Sequence, residues 1–317
     1  MRALIIGVSS LHGKYMYNYM KSEGYECLGT KLPDELFCLP DDRVMDLDLS
    51  NGDAICSILK EFNPDYIFNF ASQNSVKSSW EAPEKTVNVN IKGTINLLEQ
   101  IRLVDKNPVV IVLGAGEEYG RVSYYKFPIV ECEPLHPNNV YAASKACQTM
   151  MAQIYHKAYG LKVIIARVFN IIGPGQSERY AISNFCKQCA IAELKNDDFV
   201  IKTGNLNIER DFIDVRDFVR ACLLLAQKGK YGDIYNVSSG RSVCIFDVVR
   251  ILEDLLNVKI TVKVQTERMR LTDIPKLEAN VYKIAQDTGW KSNIPLEKSV
   301  SDMLNDWRQR VRGISCE

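Results

Sequence analysis

Up to residue 172 the chain alternates short, almost unbroken apolar runs with longer segments of helical length, and few architectures satisfy that alternation. Residues 3–8, 25–28, 43–45, 66–71, 109–113 and 163–166 read as strands; residues 14–23, 51–62, 85–104 and 140–159 read as helices. Strand followed by helix, repeated, calls for a parallel sheet with helices on both faces. The lack of polar alternation within the runs fits strands buried on both sides. The expectation is therefore an α/β, doubly wound parallel sheet.

Beyond residue 172 the rhythm loosens. GPGQ (173–176) is a turn signal, and helices are expected at 182–195, 215–228, 244–256 and 296–311, with a strand at 233–237. No linker-like stretch separates the halves. We expect residues 1–172 plus about 205–242 to form the sheet domain, and 173–204 plus 243–317 to form a smaller α/β cap.

Composition narrows the class. Of 317 residues, 46% are hydrophobic and 25% charged, the formal net charge is zero, and no block of like charges occurs. This argues against nucleic acid or an anionic membrane as partner. No apolar run reaches the roughly 18 residues of a membrane span. Ten scattered cysteines fit free thiols in a reducing cytoplasm rather than a disulfide framework. Cys186 and Cys189 form one CxxC without a second pair, and the three histidines show no ligand spacing, so we expect no metal site.

Two motifs carry chemistry. The first strand runs into Gly7-Val8-Ser9-Ser10-Leu11-His12-Gly13, where glycines at both ends let backbone N–H groups approach a pyrophosphate at a helix N-terminus. The spacing is GxxSxxG, and Ser10 replaces a usual glycine. No acidic residue follows the second strand to hold a ribose diol; Thr30 and Lys31 stand there, and Lys31 is suited to a 2′-phosphate, which favours NADP(H) and leaves NAD(H) open. Asp48, beside Leu49, is placed for an adenine amine or for capping the helix near residue 51. The stronger motif is Tyr141-Ala142-Ala143-Ser144-Lys145. A separation of four puts phenol and ammonium on one helix face. The ammonium should lower the tyrosine pKa, making it a general acid for carbonyl reduction or a base for alcohol oxidation.

With these residues in place, the chain resembles the extended short-chain dehydrogenase/reductases. Within them it is similar to the GDP-4-keto-6-deoxy-D-mannose reductases, which form GDP-D-rhamnose, and to the GDP-mannose 4,6-dehydratases. The resemblance runs through FNFASQNSVKSSW (68–80), VNIKGTINLLE (89–99), GAGEEYG (114–120), PIVECEPLHPNNVYAASK (128–145), ARVFNIIGPGQ (166–176), TGNLNIERDFIDVRDFVRA (203–221), YNVSSG (235–240) and RMRLTDIPKL (268–277). Glu118 in GEEYG, and FID within RDFIDVRD, match the reductases better, since the dehydratases usually carry an apolar residue and WGH there.

The resemblance implies a Rossmann-type cofactor domain with a sugar-nucleotide cap. It implies that cofactor meets Gly7, Ser10, Leu11, His12 and Gly13, then Thr30, Lys31, Asp48 and Leu49. Further along it would meet Phe70, Ala71, Ser72, Gln73, Asn90, Leu113 and Val168, besides Tyr141 and Lys145. Tyr141 would protonate the C4 oxygen of the sugar, with Glu117 in the active site. Ser75, Val76, Asn170, Asn184, Lys187, Asn205, Arg210 and Asp273 would line the sugar-nucleotide site, and Arg270 would hold its diphosphate. The helices 85–104 and 140–159 would build a homodimer or homotetramer.

One departure matters. Ala115 holds the position of the usual Ser or Thr, whose hydroxyl bonds the substrate oxygen beside the tyrosine; losing such a donor typically costs about 10²–10³ in rate. Ser72, Gln73 and Ser75 are candidate replacements, and restoring Ser at 115 should raise turnover. The activities open are 4-reduction of a GDP-4-keto-6-deoxy sugar, a 4,6-dehydratase or C4 dehydrogenase with tightly held cofactor (on a GDP-hexose or a GDP-heptose), and a catalytically impaired binding relative.

Overall fold

The computed structural model describes residues 1–39, 43–104, 106–268 and 274–313. In chain order, β1 (Arg2–Ile6), α1 (Leu11–Ser22), β2 (Glu26–Lys31), β3 (Val44–Asp46), α2 (Gly52–Phe62) and β4 (Tyr66–Asn69) open the fold. Then come α3 (Val76–Glu81), α4 (Pro83–Val87), a π-helical turn at Asn88–Lys92 and α5 (Gly93–Leu103). β5 (Val109–Ala115), α6 (Val140–Tyr159) and β6 (Val163–Val168) follow. The remainder is β7 (Asn170–Ile172), α7 (Ala181–Lys195), β8 (Val200–Thr203), β9 (Glu209–Asp214), α8 (Val215–Lys228), β10 (Ile234–Val237), β11 (Ser242–Cys244), α9 (Ile245–Leu256), β12 (Thr261–Val264), β13 (Lys276–Leu277), α10 (Tyr282–Thr288) and α11 (Leu296–Val311).

Seven strands form one sheet in the order β10-β6-β5-β4-β1-β2-β3, every pairing parallel. Alternate residues serve the two faces. Ile5, Phe68, Ile111 and Ile164 join the core that includes Met16 and Phe218, under α1 and α8. Leu4, Ile67, Val110 and Ile165 join the core that includes Ile58 and Leu97, under α2 and α5. Each such side chain contributes roughly 1.5–3 kcal/mol on burial, which is why unbroken apolar runs were needed. The strand order reverses between β1 and β4. In open sheets of this kind, ligands bind outside the carboxyl ends of the strands at that reversal.

A second layer covers that edge. β7, β9, β11 and β13 form one small sheet, and β8 pairs with β12. A third core joins α7, α9 and α11 and includes Phe185, Val248 and Trp307. Cys186 and Cys189 are free thiols buried in it, one turn apart. Of the 205–242 segment, β9 lies in the small sheet and β10 in the large one. The helix expected at 85–104 exists but is interrupted by the π-helical turn.

Candidate active site

The turn after β1 is shaped by sterics. Gly7 has φ +82, and a Cβ there would lie 2.9 Å from the Ala71 amide nitrogen. A Cβ at Gly13 would lie 2.2 Å from the Gly7 carbonyl oxygen, so both positions require glycine. Ser10 fastens the turn: its hydroxyl donates to Gly7 O at 2.7 Å and accepts from Gly13 N at 3.1 Å, capping α1. Serine thus does here what the missing glycine would not. The α1 N-terminus, with its positive end of the helix dipole, opens beside the reversal point, the geometry a pyrophosphate needs.

Thr30 accepts the Gly7 and Val8 N–H groups through its carbonyl at 3.0 and 2.9 Å. Lys31 is held by Asp46 at 2.6 Å and by Leu32 O at 3.3 Å. Asp48 is exposed and accepts from Ser50 N at 2.8 Å, while Asn51, not Asp48, caps α2. Leu49 packs against Gly93. Leu11 is half-buried at the turn. His12 meets Phe70 and Phe218 edge-on at 5.1 and 6.0 Å. Burial and the charge of Lys145 push its pKa down to about 4, so the imidazole is neutral at ordinary pH. Leu113 and Val168 turn their side chains into the core.

α6 starts where Asn139 accepts from Ala142 N at 2.8 Å. Tyr141 and Lys145 follow on one face, both buried. The Lys145 ammonium donates to Gln148 Oε1 at 2.6 Å and reaches Ser72 Oγ at 3.5 Å. Desolvation pulls its pKa down to about 8, against the opposing charge of Glu118. Tyr141 goes the other way from the sequence expectation. Burial, then the charges of Glu117, Tyr180 and Glu118, raise its pKa well above the usual tyrosine value. Loss of hydration outweighs any help from the lysine. The phenol is therefore protonated, the state a general acid needs.

Asn90 sits in the π-helical turn and is fully buried. Its Oδ1 accepts from Ser72 Oγ at 3.0 Å and Gln73 N at 2.8 Å, and its Nδ2 donates to Gln73 O at 3.0 Å and Ser144 Oγ at 2.9 Å. These four bonds tie the β4 loop to α6. Gln73 is consumed similarly, with both amide atoms bonded to Ser75 and Thr86. Ser75 caps α3, whose first residue is Val76, by accepting from Ser78 N at 3.1 Å. Both Gln73 amide hydrogens are thus engaged and it is no replacement donor, whereas the Ser75 hydroxyl only accepts in its bond and keeps its proton.

At the end of β5, Ala115 N donates to Glu118 Oε1 at 2.6 Å. Glu118 is buried against Arg167, with contacts at 2.9 and 3.1 Å, and also accepts from Thr149 Oγ1. Tyr119 accepts from Arg167 and donates to Asn236, each at 2.8 Å. A buried guanidinium explains the acidic residue at this strand end. Glu117 lies close enough to Tyr141 and Tyr180 to raise both pKa values.

Of the substrate-side expectations, Asn170 donates to Asp211 O at 3.1 Å. Arg210 donates to Glu209 O and Ile274 O at 2.8 and 2.7 Å. Asn184 accepts from Gln188 at 2.7 Å, one turn along α7 from Tyr180. Lys187 pairs with Glu178 and lies 5.5 Å over the Trp307 ring. Asn205 accepts from Asn207 N at 2.9 Å in a turn. Arg270 and Asp273 lie outside the described residues. Sequence reasoning missed Tyr180, just outside α7 and without periodic signal, and Arg167, concealed within an apolar strand.

A glycine turn opening a helix, a lysine-flanked tyrosine and a parallel sheet reversing between them define a nicotinamide-dependent enzyme of the extended short-chain dehydrogenase/reductase class. More narrowly, the chain belongs to the GDP-mannose 4,6 dehydratase family, whose model matches residues 4–303. It is 29% identical over 311 residues to a GDP-6-deoxy-D-mannose reductase of Pseudomonas aeruginosa, covering 98% of both chains. It is 27% identical to GDP-mannose 4,6 dehydratase 1 of Arabidopsis thaliana, covering 96% of this chain and 89% of that one. Among solved structures, RMD from Pseudomonas aeruginosa complexed with NADPH superposes with a TM-score of 0.86 at 27% identity, covering 98% and 99%. A UDP-glucose 4-epimerase from Thermotoga maritima shares the fold, with a TM-score of 0.88 at 23% identity over 98% of this chain and all of the other.

Proposed function

We propose that this protein reduces the C4 ketone of a GDP-4-keto-6-deoxy sugar with NADPH, a conversion of the GDP-4-keto-6-deoxy-D-mannose to GDP-D-rhamnose type. The observation that carries the reading is Tyr141, buried and protonated, one helical turn from a buried lysine at the carboxyl edge of the sheet. The Gly7–Gly13 turn, whose Cβ-free backbone leaves room, would hold the pyrophosphate, and Lys145 would hold the ribose hydroxyls. When bound, the nicotinamide supplies the hydride.

The chain's own contribution is orientation and a proton. Tyr141 gives its proton to the C4 oxygen as charge develops there. Lys145 stays charged up to pH about 8, one helical turn along α6 from Tyr141. Asn90 fixes the β4 loop against α6, so the two sides of the pocket keep their spacing. Lys31, already held by Asp46, favours the 2′-phosphate of NADPH. Glu118, acidic where the dehydratases usually carry an apolar residue, supports the reductase side. Exposed Val87, Leu103, Met150, Ile154 and Tyr159, from α4, α5 and α6, support a dimer through those helices.

Glu117 beside Tyr141 favours 4,6-dehydration as the second reading, because that reaction needs a further base. The deciding experiment is incubation with GDP-4-keto-6-deoxymannose and either reduced cofactor, with NMR of the product. The expected result is NADPH consumption and a 4-hydroxy product. Conversion of GDP-mannose itself with no net cofactor consumption would overturn the reductase reading.

A further inference from the structure

What holds the Lys145 ammonium is an amide, not a carboxylate. Gln148, one turn further along α6, accepts from it through Oε1 at 2.6 Å, against 3.5 Å to Ser72 Oγ. Gln148 is itself buried. A buried amide costs stability unless its atoms are bonded, so its partners show what keeps it there. Its Nε2 donates to Thr94 Oγ1 on α5 at 2.6 Å. The Thr94 hydroxyl in turn donates to Asn90 O, in the π-helical turn, at 2.8 Å. Thr94 and Asn90 are buried as well.

This chain of bonds has one direction. A carbonyl only accepts, so the Thr94 hydroxyl gives its proton to Asn90 O and accepts from Gln148. The Gln148 amide must then turn its nitrogen to Thr94 and its oxygen to Lys145. Flipped, it would set N–H donors against the ammonium and a lone pair against the Thr94 oxygen. The Asn90 side chain fixes Ser72, the second oxygen within reach of the ammonium, so Lys145, Gln148, Thr94, Asn90 and Ser72 close a ring. Through Ser144, which bonds Asn90 and donates to Tyr141 O at 2.7 Å, the ring also reaches the first turn of α6.

An ammonium has three N–H donors. Directing one of them at Gln148 restricts where the other two can point. We propose that Gln148 is a positioning residue of this active site: it aims the Lys145 ammonium, leaving its remaining N–H groups for the ribose hydroxyls of the nicotinamide cofactor. The assignment rests on the roles given above to Tyr141 and Lys145, not on the direction of the reaction, and Gln148 acts through Lys145. The titratable groups that face Lys145 are Glu118 after β5, already paired with Arg167 of β6, His12 at the start of α1 and Tyr141 one turn earlier on α6. α5 and the π-helical turn contribute the neutral Thr94 and Asn90.

Two substitutions at this position test the proposal in the full chain, with thermal melting as the check on folding. Gln148→Met keeps the length and removes the acceptor; Gln148→Glu keeps an acceptor and adds a charge. In the parent without cofactor, stability should begin to rise near pH 8, where folded Lys145 starts to lose its proton. By urea midpoints, that onset should fall by about one pH unit in Gln148→Met and rise by about as much in Gln148→Glu. Thr94→Val, which leaves the amide free to flip, should move the onset in the Gln148→Met direction by less. Affinity near neutral pH is measured for whichever of NADPH or NADH the parent binds more tightly. It should weaken about tenfold in Gln148→Met and be retained in Gln148→Glu. Onsets that coincide with the parent's, or that move the same way in both Gln148 variants, would overturn the inference. So would onsets that separate while cofactor affinity stays level, which would leave Gln148 without bearing on the cofactor. A parent that leaves GDP-4-keto-6-deoxymannose untouched while onsets and affinities separate as expected sinks the reductase reading alone; an active parent with coincident onsets sinks this inference alone.

Discussion

Lys145 on α6 and Arg167 on β6 are both cations taken out of water, 2% and 1% exposed. Their surroundings differ. Arg167 meets the Glu118 carboxylate twice and bonds Tyr119, closing a buried network behind the β5 end. Lys145 meets a neutral amide and a serine hydroxyl, with the Glu118 charge acting only from a distance. A compensated charge holds structure in place. An uncompensated one, with its pKa drawn down to about 8, is poised to interact with something else. The pocket and the cluster behind it thus divide the labour, and Ala115, whose N–H is held by Glu118, joins them.

The sharpest way to break this contrast is to unpair the cluster. Glu118→Leu strands the Arg167 guanidinium and should cost about 3–5 kcal/mol in urea unfolding. Changing both residues to leucine should recover most of the loss. If Glu118→Leu proved as stable as the parent, Arg167 would not depend on its partner.

Lys145 should behave oppositely. Lys145→Met, which removes a desolvated charge, is expected to be at least as stable as the parent near neutral pH while turnover falls about 10²–10⁴-fold. The pH dependence has a definite sign. The folded pKa of about 8 lies below the ordinary lysine value, so the folded state carries a penalty that is complete below pH 8. As pH rises from about 8 to about 10.4, the folded chain loses that proton first and the penalty is relieved. The parent should gain about 3 kcal/mol relative to Lys145→Met over that window, measured by urea midpoints. Reductase turnover should decline across the same onset. Parallel stability profiles for the two proteins would show that the lysine is not desolvated as described.

The smallest effect concerns cofactor choice. Asp46→Asn releases Lys31 from a surface pair of the kind worth about 0–1 kcal/mol. NADPH affinity should then rise less than about fivefold, with NADH affinity unchanged, in calorimetric titration. An equal rise for both cofactors would remove Lys31 from 2′-phosphate recognition.

Much of this was legible in the sequence. Strands buried on both faces leave unbroken apolar runs, so the seven-stranded sheet could be largely anticipated, and Tyr141 and Lys145 announce themselves by helical spacing. The short strands β7, β9, β11 and β13 could not be read, because strands this brief owe their pairing to chain segments far away. The π-helical turn that places Asn90 breaks the 3.6-residue period without a glycine or proline inside it to announce the break. Arg167 falls one residue past the strand expected at 163–166, and its partner Glu118 lies 49 residues earlier, so nothing local in the sequence shows the pair. The direction of the Tyr141 shift was misjudged because spacing shows that a lysine is near, while only packing shows how completely the phenol is dehydrated.

The account stands most directly on the phenol of Tyr141 as proton donor. Single-turnover hydride transfer from bound NADPH to the keto sugar should slow about 10²–10⁴-fold in Tyr141→Phe, with NADPH affinity unchanged. Hydride transfer at the parent rate in that variant would contradict it.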